Sequence, residues 1–140
     1  MRKPKKVIAY VCDIPVPGTN EVISAADQKA RILKHALKEG IEVVGFYEDE
    51  KFTEDYLDRP GVRQMLASHE NVDQVMVERV WCLTRSRHEL EALMGELDRK
   101  GTPLAATSYL WDCLSQMARH RYMGSAAKKP LTPVAALMAA

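Results

Sequence analysis

The chain has 140 residues, 46% of them hydrophobic and 28% charged, which is enough for one buried core and too little for two comfortable ones. With 20 basic and 19 acidic residues the net charge is +1, so no overall field draws the protein to nucleic acid or to an anionic membrane, and binding of either kind needs a local patch. The 3 cysteines, Cys12, Cys82 and Cys113, stand far apart with no CxxC or Cys/His cluster, which argues against a disulfide framework and against a metal site and fits reduced thiols in the cytoplasm.

The basic start, Arg2 to Lys6, leads into an apolar run that stops at Val11, too short for export or for crossing a membrane. Val7-Ile-Ala-Tyr-Val11 reads instead as a strand buried on both faces of a parallel sheet. The segment Ile14 to Asn20 holds two prolines and a glycine and is expected to be a loop. From Ser24 to Glu39 the pattern is helical, with Ala25, Ile32, Leu33, Ala36 and Leu37 at core-facing spacing and Gly40 as the stop. Ile41 to Tyr47 forms the second strand and completes a βαβ unit.

A charged stretch, Glu48 to Arg59, precedes a short helix that Pro60-Gly61 opens and that runs through Ala67, where proline in the first turn sacrifices no hydrogen bond. Asp73 to Val80 reads as the third strand. Ser86 and Glu89 have capping-box spacing, in which each side chain satisfies the other's free amide, and Leu90, Leu93, Met94 and Leu97 share one face of the helix that follows. Pro103 to Thr107 is the fourth strand, and Leu110, Leu114 and Met117 lie on one stripe of a final helix. The expected architecture is an α/β three-layer sandwich with a mainly parallel sheet of four or five strands, spanning residues 1–123, with residues 124–140 as a flexible or partner-docking tail.

Element order of this kind suits many doubly wound folds. Local residues narrow the choice: Tyr10-Val11 at the end of the first strand, Gln28 in the first helix, Tyr47-Glu-Asp49 closing the second strand, Arg59-Pro-Gly-Val62 opening the short helix, and Leu83-Thr-Arg85-Ser86 before a Glu-Leu helix. In this order, over residues 6–107, the chain resembles the catalytic domain of the serine recombinases, the resolvases and invertases.

The resemblance implies a resolvase-like fold and a site in which a serine, within a Tyr-x-Arg-x-Ser pattern after the first strand, attacks a DNA phosphate surrounded by arginines. The corresponding run here is Tyr10-Val-Cys12-Asp13-Ile14, with cysteine in place of the arginine and isoleucine in place of the nucleophile. After the third strand the family reads Leu-Asp-Arg-Leu-x-Arg-Ser, and this chain places Trp81 and Cys82 where the aspartate and arginine belong. Phe52-Thr53 stands where Ser-Gly is usual, and the interval from Cys12 to Gln28 exceeds the family's, as if a proline-rich insertion covered the old site. Tyr10, Asp49, Arg59 and Arg85 remain; the arginines are expected to be structural, one of them paired with Asp49. A hydrocarbon side chain cannot attack phosphorus, so the resemblance implies a pseudoenzyme with no catalytic residue and no cofactor.

A replacement nucleophile, Cys12 or Cys82, requires a cation such as Arg85 to lower its pKa, whereas an inert buried thiol requires nothing. His35, His69, His88 and His120 fall among charged helical neighbours and read as solvated. Tyr109, Leu110, Trp111, Leu114, Met117, Tyr122 and Met123 offer more apolar surface than one buried stripe uses and are expected to form an interface with a second copy or another protein; the alternative is packing on their own sheet, with Trp111 as anchor. Basic ends at Arg2, Lys3, Lys5 and Lys6, at Arg119 to Arg121 and at Lys128-Lys129 allow weak, salt-sensitive DNA contact, without the extended helix and helix-turn-helix domain by which family members grip DNA. The expected function is therefore a non-catalytic interaction or regulatory module in the cytoplasm, a dimer or another protein's partner; the alternatives are a DNA-associated accessory factor and an enzyme with a cysteine nucleophile.

Overall fold

A computed structural model describes residues 5–16, 18–68 and 71–107. Four parallel strands form the sheet, β1 (Lys5–Cys12), β4 (Ile41–Asp49), β5 (Gln74–Val77) and β6 (Leu104–Ala106), in the order β4-β1-β5-β6. The β1 run carries no charge from Val7 to Cys12 because it lies between two strands and is covered on both faces. Val7, Ala9 and Val11 pack with Ala25 and Ile32 of helix α1 (Ala25–Glu39). On the other face Ile8, Tyr10 and Cys12 meet Val62 and Met65 of α2 (Pro60–Ala67) and the leucines of α3 (Arg87–Arg99). Helices on both faces of a parallel sheet give the expected three layers, with four strands.

Local signals act where the sequence places them. The Ser24 side chain accepts from the Asp27 amide at the start of α1, and Gly40 ends the helix with φ 68°, a conformation that glycine adopts without penalty. Pro60 occupies the first turn of α2. At α3 half of the expected capping box forms: Ser86 accepts from the Glu89 amide at 3.3 Å, but Glu89 receives the Thr84 hydroxyl at 2.6 Å, and the Ser86 amide donates to Thr84 at 3.0 Å. Thr84 intervenes because its hydroxyl both donates and accepts.

Several expectations are corrected. The loop after β1 contains a small antiparallel hairpin, β2 (Ile14–Pro15) on β3 (Val22–Ile23), in which Ile14 pairs with Ile23 and Pro15 with Val22. The third strand ends at Val77, and Val80–Cys82 is a 3-10 turn. Another such turn, Tyr56–Asp58, lies in the charged stretch and buries Tyr56. Leu33 and Leu37 do not reach the core, being 49% and 86% exposed, because the face of α1 against the sheet is Ala25, Gln28, Ile32 and Ala36. The final helix, the apolar residues Tyr109 to Met123 and the tail 124–140 lie outside the described residues, as do His69, Cys113 and His120. Among the described residues no helix is long and apolar enough to cross a membrane.

Candidate functional site

The residues singled out in the sequence converge at the carboxyl ends of β1 and β4, where Cys12 and Asp49 are register partners. Ligand sites of open parallel sheets gather at this end because the loops that follow the strands diverge there. Asp49 is buried and accepts the Tyr10 hydroxyl at 2.8 Å, the Gly61 amide at 2.8 Å and the Val62 amide at 3.2 Å. The last two belong to the first turn of α2, so the carboxylate satisfies free helix amides and favours the helix dipole.

Arg59 precedes α2 and is only 1% exposed. The expected pairing with Asp49 is replaced by a relay: Arg59 Nη1 donates to the Tyr10 hydroxyl at 3.4 Å and to the Cys82 carbonyl at 2.6 Å, and Nη2 donates to the Leu83 carbonyl. Asp49 is already occupied by the amides of α2, whereas the turn at Val80–Cys82 presents carbonyls to the guanidinium fork. The guanidinium lies over the Phe52 ring, 4.6 Å from its centroid, and Nε has no hydrogen-bond partner. Thus a charged group is held in the protein interior mostly by backbone oxygens and an aromatic face.

Ile14 is fully buried and pairs with Ile23 in the hairpin. Gln28, also fully buried, ties this segment to α1: the Cys12 amide donates to its Oε1 at 3.3 Å, and its Nε2 donates to the carbonyls of Cys12 at 2.7 Å and Ile23 at 3.1 Å. Asp13 accepts from the Ala25 amide at 2.7 Å, fixing the other side of the loop. Arg85 is exposed and reaches back over the hairpin, donating to the Pro15 carbonyl at 2.7 Å, with the rings of Phe52 and Trp81 4.8 and 5.3 Å away. A cavity of about 570 Å³ beside it is lined by Phe52, Glu54, Asp55, Arg85, Ser86 and Glu89.

Burial pushes the Cys82 thiol well above its ordinary pKa and raises Cys12 in the same direction. The nearby Arg59 opposes both shifts and is outweighed; both sulfurs are fully buried. Burial likewise raises the Tyr10 phenol, which keeps it the neutral donor that Asp49 requires. Cys12, Ile14, Asp49, Arg59, Tyr10 and Cys82 therefore form one packed cluster, while Trp81 and Arg85 form its outer edge. Sequence reading missed the pair Glu78–Arg79, joined at 2.5 and 3.2 Å just after β5 with Glu78 only 2% exposed. Adjacent charges after a strand ordinarily mark a solvated turn, so nothing in the pattern signalled their burial.

A three-layer parallel α/β domain with its polar residues collected at the strands' carboxyl ends defines the class. Within it, the family model described as the resolvase N-terminal domain matches residues 18–122, and the chain belongs to this family, that of the serine recombinase catalytic domains. The fold is similar to the N-terminal catalytic domain of TP901-1 integrase, with 26% identity, a TM-score of 0.63 and coverage of 74% of this chain and 78% of that one. It is also similar to the C-terminal catalytic domain of ISC1926 TnpA, an IS607-like serine recombinase, with 15% identity, a TM-score of 0.61 and coverage of 84% and 78%. A resolvase family site-specific recombinase from Streptococcus pneumoniae has the same fold, with 17% identity, a TM-score of 0.59 and 96% coverage of both chains. No curated protein matches the chain.

Proposed function

We propose that this member of the serine recombinase family no longer cuts DNA and serves as a protein-interaction or regulatory module. One observation carries the reading: Ile14, which the resemblance sets at the place of the nucleophile, is a hydrocarbon side chain fully buried within the hairpin. The substitutions around it agree. Cys12, Trp81 and Cys82 stand where the family's pattern has charged residues, and Arg59 spends its fork on backbone carbonyls instead of facing outward. Neither thiol is a good substitute, since a buried neutral sulfur is a poor nucleophile.

In this reading Tyr109, Leu110, Trp111, Leu114, Met117 and Tyr122 supply the surface for a second copy or another protein, and weak DNA contact is left to the basic ends. Arg85 favours the DNA reading by its exposure, but Glu54, Asp55 and Glu89 line the same cavity and oppose a phosphate there. The test is direct. The purified chain is incubated with supercoiled plasmid and with a random duplex library, then denatured. Unnicked plasmid and no covalent complex are expected; a protein–DNA adduct that survives denaturation overturns the proposal.

A further inference from the structure

Helix α1 carries two apolar faces side by side. The first, Ala25, Ile32 and Ala36 with the satisfied Gln28, lies against the sheet. The second is Ala26, Ala30, Leu33 and Leu37, all four exposed, the leucines to 49% and 86%. Its spacing of four, three and four residues is that of a coiled-coil seam. Among the described residues the core makes no use of it, and an apolar stripe of this regularity on a protein surface marks a contact.

We propose that α1 packs against α1 of a second copy of this chain, antiparallel, about a centre between Ala30 and Leu33. In that arrangement Ala30 faces the partner's Leu33 and Ala26 faces the partner's Leu37, so every layer combines a large residue with a small one and the helices approach closely. The charges beside the seam select the direction. A parallel pair brings Lys29 against the partner's Lys34, five residues on, which repels. The antiparallel pair brings Asp27 near the partner's Lys34, twice by symmetry. Asp27 already lies 3.3 Å from Arg31 of its own helix, and Lys29 is held by Glu48 at 2.6 Å, so the ion pairs within the chain leave the arrangement intact. The seam spans only the 15 residues of α1, so the contact is small and the dimer weak and reversible.

The inference concerns a face that the recombinase site does not touch; DNA cleavage would overturn the function proposed above and leave this one standing. Sedimentation equilibrium of the full chain over a wide concentration range is expected to show monomer and dimer in exchange. Leu37→Glu, at a position too exposed to affect folding, is expected to give monomer at every concentration with an unchanged circular dichroism spectrum. Asp27→Lys and Lys34→Asp are each expected to weaken association, and the double variant to restore it. A monomeric native chain overturns the proposal, as does a dimer that survives Leu37→Glu, or one that Trp111→Ala abolishes while Leu37→Glu does not. Failure of the double variant to recover what the single ones lose overturns the antiparallel pairing.

Discussion

Arg59 donates to the Cys82 carbonyl at 2.6 Å, which joins the entrance of α2 to the turn that follows β5 across a stretch of 23 residues. A second bond from the same guanidinium reaches Leu83, so one side chain satisfies two consecutive carbonyls in the interior. The family's resemblance implies arginine around a phosphate; here this one is a brace.

Replacing Arg59 by alanine should therefore destabilise the fold severely. The carbonyls of Cys82 and Leu83 lose their donors and a cavity opens beneath Phe52, for a loss on the order of 3–5 kcal/mol. Urea denaturation measures it. A loss below about 1 kcal/mol would show that the arginine is not structural.

At Gly61 two effects of opposite sign compete. Helix propensity alone makes Gly61→Ala stabilising by about 1 kcal/mol. A methyl group at that position, however, would sit 2.6 Å from Asp49 Oδ2 and 2.8 Å from the Glu48 carbonyl oxygen, and backbone does not yield cheaply. Overpacking costs about 1–3 kcal/mol, so a lower melting temperature is expected; a higher one would mean that Asp49 moves freely.

Gln28→Met tests whether the buried amide or merely its volume holds the segment after β1. Size is nearly kept, but the bonds to the Cys12 amide and to the carbonyls of Cys12 and Ile23 are lost. About 2–4 kcal/mol of stability should go with them, together with faster hydrogen exchange at the Cys12 amide. Unchanged exchange there would assign the role to packing.

The two buried thiols give a prediction in alkaline solution. The folded pKa values of Cys12 and Cys82 are raised above the ordinary 9.0, so the unfolded chain ionises first as pH rises. Stability from this source is complete below pH 9.0 and falls above it, since unfolding then releases protons. Stability measured from pH 7 to 10 should decline at the upper end, and less steeply in Cys82→Ala. In the native protein neither thiol should react appreciably with a neutral-pH thiol reagent; rapid labelling of Cys82 would revive a cysteine nucleophile.

How far the sequence could be read depended on whether a residue's neighbours were local. Strand β1, the caps Ser24 and Gly40 and the proline start of α2 were legible, because periodicity, capping and ring constraint act within a few residues. So was the family, through short motifs whose order along the chain survives substitution. The exposed Leu33 and Leu37 were misread because the apolar arc of α1 is wider than the sheet face it meets, and a pattern one helix wide does not say which part of the arc is covered.

The site divided in the same way. The residue types alone determined that Ile14 has no hydroxyl and that Cys12, Trp81 and Cys82 carry no fixed charge at neutral pH. Only the tertiary structure decided how the polar groups of the site are used: Asp49 on the amides of α2, Tyr10 between Asp49 and Arg59, and Arg59 on two carbonyls 23 and 24 residues away. Composition and spacing specify which hydrogen bonds a side chain is able to make. Which ones it does make is settled by what the fold brings within about 3 Å of it, in an interior where an unmet polar group is costly.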